Sequence, residues 1–121
     1  MSCVYPKMYK IRQIINNERI EDLRLEVFKQ LDLIGMKNVI KPNNRISITA
    51  GSRGIANIDR TTKYVCDYVK SLGGIPFIVP SMGSHGGATA EGQRQILKKL
   101  GITEETMECQ IISSMETVQL E

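Results

Sequence analysis

Apolar positions along the chain follow two different periods. Residues 8–15 (MYKIRQII) form a mixed apolar and basic run that predicts a short strand at a sheet edge, closed by the turn signal Asn16-Asn17. From about residue 19 to 34, Ile20, Leu23, Val27, Leu31 and Ile34 recur at three and four, which predicts a helix ended by Gly35. Pro42-Asn43-Asn44 is a turn, and residues 45–50 (RISITA) carry the β-branched side chains of a strand. A second helical stripe follows in Ile58, Thr62, Val65, Val69 and Leu72, stopped by Gly73-Gly74. Residues 75–79 (IPFIV) are wholly apolar, as in a parallel strand buried on both faces. Thr89 is placed to cap a helix running to Leu100, with Ile96, Leu97 and Leu100 inward and Gly101 at its end. A short helical turn over residues 102–108 and a strand over 109–112 (CQII) complete the pattern.

Two strand–helix units thus feed a third strand. Helical crossovers make the strands parallel and the connections right-handed. The expected fold class is α/β, a Rossmann-like three-layer domain with a small, mainly parallel sheet. A chain of 121 residues fits one domain. Residues 115–121 follow the last strand with no helix to cover it, so residues 1–121 are expected to be the N-terminal α/β domain of a longer, two-domain protein.

Composition narrows the function classes. The net charge of +3 is small and its basic residues are scattered, which argues against a nucleic-acid or membrane surface. No run is long and apolar enough for a membrane span or a signal peptide, and the expected location is cytoplasmic. Cys3, Cys66 and Cys109 are far apart and form no CxxC or Cys/His cluster, so they are expected to be reduced, buried thiols. The methionines, Met82 and Met107 among them, read as core fillers.

Candidate chemistry gathers in two loops, Gly51-Ser52-Arg53-Gly54 and Gly83-Ser84-His85-Gly86-Gly87, each between a strand and a helix. Ligands of open parallel sheets bind beyond the carboxyl ends of the strands, where helix N-termini offer free N–H groups to anions. Ser52 adds a hydroxyl, and Arg53 a planar guanidinium that matches a carboxylate or phosphate; a pairing of Arg53 with nearby Asp59 is the plainer alternative. Neither loop fits GxGxxG or GxxxxGK[ST]. His85, the sole histidine, suits proton transfer near neutral pH, although many lone histidines are structural. One histidine without clustered Cys or carboxylates cannot make a metal site. Glu91 and Gln93 follow on the next helical turn, where they could orient a ligand or simply be solvated.

The string VPSMGSHGGATAEGQ, preceded by ITAGSRGI, resembles the N-terminal domain of the nickel-dependent lactate racemase family. The likeness covers about two thirds of the chain, from Arg45 onward. It implies a 2-hydroxy-acid racemase or epimerase in which a nickel-pincer nucleotide accepts and returns a hydride while histidines move the hydroxyl proton. On this resemblance His85 is the catalytic acid/base, and Ser52, Arg53, Gly54, Gly83, Ser84 and Gly86 bind the anionic groups of substrate or cofactor. The family's D-x-T-R motif has Ala50 at its acidic position here, and Gly86-Gly87 replaces the Arg-Pro that follows its histidine, so a relative of different substrate or reaction is implied. The second histidine, the cofactor-tethering lysine and the nickel ligand would all lie outside this chain, leaving it inactive alone and without metal ligands. A 2-hydroxy acid and the remainder of the same protein are the expected partners. A non-catalytic anion- or nucleotide-binding α/β domain is the alternative.

Overall fold

The computed structural model describes residues 6–16 and 18–120. Its elements are α1 (Leu23–Leu33), α2 (Met36–Val39), β1 (Arg45–Ala50), α3 (Ile58–Ser71), β2 (Ile75–Pro80), α4 (Ala90–Lys99), α5 (Glu104–Met107) and β3 (Gln110–Ile111). The three strands form one parallel sheet in the order β1-β2-β3. Arg45 pairs with Ile75 and Ala50 with Pro80, so β1 and β2 end level; Ile78 pairs with Ile111. The fold is therefore α/β with a small parallel sheet of Rossmann-like build.

One strand face makes the core. Ala50 of β1, Ile78 of β2 and Ile111 of β3 pack with Cys66 of α3, Leu97 of α4 and Met107 of α5, all buried. Because these helices share one cluster, they lie on one side of the sheet. The opposite positions, Ser47, Thr49 and Phe77, belong to neither core cluster, and the Arg45 guanidinium lies 5.1 Å from the Phe77 ring centre. The described residues thus fill two of the three expected layers, with Phe77 and Val79 only partly covered.

A second cluster fixes α1. Ile40, Tyr68 and Val69 are buried against Phe28, Leu31 and Met36, and the Phe28 and Tyr68 rings meet edge to face at 5.2 Å. The Tyr68 hydroxyl donates to Asp32 Oδ1 at 2.7 Å, which ties α3 to α1.

Three expectations change. Residues 8–15 form no strand: Met8, Ile11 and Ile14 are each more than four-fifths exposed, and no ladder partner lies beside them. A strand needs a neighbour to take its hydrogen bonds, and periodicity alone cannot supply one. The first helix starts at Leu23 rather than near residue 19, because Asp22 caps it by accepting from the Leu25 N–H; Ile20 stays outside and exposed. Gly35, at φ 78°, ends α1 as expected but also opens the unexpected α2. Cys3 and Asn17 lie outside the described residues.

Candidate functional site

Both loops emerge from the carboxyl ends of adjacent strands. The ladder runs one step past β1, where the Ser81 N–H donates to the Ala50 carbonyl, so the two loops leave the sheet side by side. Gly54 turns the first loop at φ 85°, and Asn57 at φ 55° leads into α3 without capping it through its side chain. The first N–H groups of a fourteen-residue helix therefore face this loop uncapped by Asn57.

The second loop is left-handed over a longer run. Gly86, Gly87 and Ala88 take consecutive positive φ values of 66°, 68° and 53°, a left-handed turn that glycine tolerates best. Three contacts hold it on α4. Thr89 Oγ1 donates to the Gly86 carbonyl at 3.0 Å and accepts from the Gly92 N–H, which is the cap expected from the sequence. Gln93, almost fully buried, donates through Nε2 to the Gly83 carbonyl at 2.8 Å. Gly86 and Gly92 also touch backbone to backbone; a β-carbon on Gly86 would come within 2.4 Å of the Gly92 carbonyl carbon.

These restraints bring the two loops together at His85. Its Nδ1 lies 2.5 Å from Ser52 Oγ, and its Nε2 lies 3.1 Å from Arg53 Nη2. A guanidinium only donates, so Nε2 must accept with its lone pair. In the neutral ring the proton is then on Nδ1, which donates to Ser52 Oγ. The Ser52 hydroxyl proton is left free for another acceptor. Side by side, the three residues form a hydrogen-bonded chain in which Arg53 covers the Nε2 lone pair and so sets the tautomer, while Ser52 accepts from Nδ1–H and holds the ring in place. The pairing of Arg53 with Asp59 does not occur: Arg53 forms no ion pair among the described residues, and Asp59 instead lies beside Gly101.

Of the other expected site residues, Gly54 and Gly83 have open space beside their α-carbons, and Ser84 is exposed, its carbonyl accepting from the Ala88 N–H. Gly86 has that space filled by Gly92 and Gln93, so it packs the loop onto α4. Glu91 is exposed and accepts from Gln95, the solvated alternative. Gln93, expected to help orient a ligand, is instead a buried loop anchor bonded to the Gly83 carbonyl. The signal was present: Gln93 falls four residues before Leu97 on the inward stripe of α4, where a polar side chain needs a partner.

A groove of about 170 Å3 runs past Gly51 between Thr49, Ile55 and Thr62, and neither Arg53 nor His85 lines it. Within the site, Ser52 and His85 are half-buried and Arg53 is exposed. Among the described residues no group of three or more His, Cys, Asp or Glu could hold a metal ion, and no helix is long and apolar enough to cross a membrane. No family model matches the sequence, and no curated protein or solved structure matches it significantly.

Proposed function

We propose that this chain carries one half of the active site of a 2-hydroxy-acid racemase or epimerase, with His85 as the acid/base and Arg53 as the anion clamp. The observation that carries the reading is the Ser52–His85–Arg53 chain of contacts. A carboxylate is a stronger partner for a guanidinium than a neutral imidazole, because the bond is charge-assisted and can be bidentate. When a substrate carboxylate engages Arg53, the guanidinium leaves Nε2. The freed lone pair then accepts the proton of the neighbouring 2-hydroxyl, while Ser52 Oγ holds Nδ1–H and keeps the ring oriented.

The nickel-pincer nucleotide suggested by the resemblance would supply the hydride chemistry when bound. The donors here fit only part of it. Arg53, the open glycine backbone of both loops and the Ser52 hydroxyl suit its anionic groups. The single imidazole, with Nδ1 engaged by Ser52, provides no ligand set for nickel. On this reading the metal ligand and cofactor tether are supplied by residues other than those of this chain.

The test is chiral chromatography of short 2-hydroxy acids incubated with cofactor-loaded protein made from the complete gene. Interconversion of enantiomers is expected, falling by about 10²–10⁴ in His85→Gln, the usual contribution of an acid/base group. Undiminished activity in that variant would overturn the role of His85. A non-catalytic anion-binding domain is the second reading, favoured by one observation: Arg53 covers the Nε2 lone pair. It requires anion binding by this chain with no racemisation in the cofactor-loaded complete protein.

A further inference from the structure

At the amino end of the sheet, opposite the candidate site, two thiols meet. Cys66 is fully buried in the middle of α3, and Cys109, only partly buried, immediately precedes β3; their sulfurs are 3.8 Å apart. Cys109 also lines a surface groove of about 300 Å3 together with Arg45, Lys70, Phe77, Glu108 and Gln110. Cys109 is thus partly exposed at the groove, whereas Cys66 is closed off from solvent. We propose that Cys109 and Cys66 are a peroxide-oxidisable pair that closes to an intramolecular disulfide, with Cys109 attacked first and Cys66 resolving.

The order follows from access and from protonation. Burial in the apolar core, reinforced by the neighbouring Cys109, pushes the Cys66 thiol up to about 12, so it is not the group that meets the oxidant as a thiolate. The Cys109 thiolate attacks a peroxide oxygen; the O–O bond breaks, giving a sulfenic acid and one water. The Cys66 sulfur then attacks the Cys109 sulfur. The S–O bond breaks, the S–S bond forms, and the hydroxide leaves with the Cys66 proton as a second water. Two thiols are oxidised and one peroxide is reduced to two waters. The sulfurs must close from 3.8 Å to about 2.05 Å for the bond to form. Without Cys66 beside it, the sulfenic acid would persist or oxidise further.

Peptide mapping after hydrogen peroxide treatment tests this in a Cys3→Ser background, which removes the third thiol. The expected product is a monomeric chain lighter by two hydrogens, with a Cys66–Cys109 linked peptide that reductant releases. In Cys66→Ser the sulfenic acid at Cys109 should become trappable by dimedone. In Cys109→Ser, peroxide should leave Cys66 unmodified. Should Cys66→Ser fail to fold, the linked peptide in the background protein decides. Further-oxidised Cys109 beside a Cys66 that still alkylates after unfolding would overturn the proposal. So would oxidation of Cys66 at an undiminished rate in Cys109→Ser.

Discussion

Replacing Gly92 with alanine sets two physical effects against each other. In an open helix the change is stabilising by up to about 1 kcal/mol, because alanine loses less backbone entropy. Here the added β-carbon would stand 1.8 Å from the Gly86 carbonyl oxygen and 2.7 Å from its carbonyl carbon. Both are backbone atoms in a left-handed turn, so no side chain can swing aside. The loop must lift from α4. That displacement strains or breaks the Thr89 Oγ1 and Gln93 Nε2 hydrogen bonds to the Gly86 and Gly83 carbonyls, about 0.5–1.5 kcal/mol each. Overpacking adds about 1–3 kcal/mol if the loop stays. Set against the helical gain, either route leaves a net loss of about 1 kcal/mol at the centre of these ranges. In a chain of this size that lowers Tm by roughly 3–6 °C. Urea unfolding with an unchanged m-value would report the same loss at fixed temperature. A Tm that rises by a few degrees, as helix propensity alone requires, would refute the close packing of loop and helix.

Two further outcomes follow from contacts away from the site. Tyr68→Phe removes the hydroxyl that bonds Asp32 Oδ1 while keeping the ring against Phe28, and should cost about 1 kcal/mol by urea unfolding; no change would mean the α1–α3 tie is idle. The Glu108 carboxyl is held below its ordinary range by hydrogen bonds from Lys63 and then Lys70. Its folded value being the lower one, its contribution is fully present above the ordinary carboxylate range and is lost as pH falls through the folded value. Glu108→Gln should therefore flatten the acid limb of a stability–pH curve. It should do so less at high salt, since this carboxylate is exposed; identical limbs with and without the charge would contradict the contact.

Much of the fold was legible because strong local signals agreed with tertiary need. The α3 stripe and the Thr89 cap stand where periodicity and capping chemistry put them. The apolar 75–79 run is a parallel strand, but one buried on a single face, with Ile75 exposed and Phe77 and Val79 partly covered. Signals that depend on distant partners were not legible. Residues 8–15 carry strand-like residues without a described neighbour to pair with, and Asp22 outcompeted the earlier start because its carboxylate satisfies a helix N–H. For the site, Ser52, Arg53 and His85 stood out by residue type. Their convergence is set by strand register across 32 or 33 residues, which no local pattern encodes. Likewise the Gly86–Gly92 contact is invisible until loop and helix are placed together.

His85 is the only histidine, so its ring nitrogens give an unambiguous NMR signal. Long-range 1H–15N spectra of the neutral ring test the central claim most directly. The proposal predicts a proton on Nδ1 and a bare Nε2, and a shift of the Nε2 resonance when a short 2-hydroxy carboxylate draws Arg53 away. A proton on Nε2 in the unliganded protein, or a ring unmoved at saturating carboxylate, would contradict it.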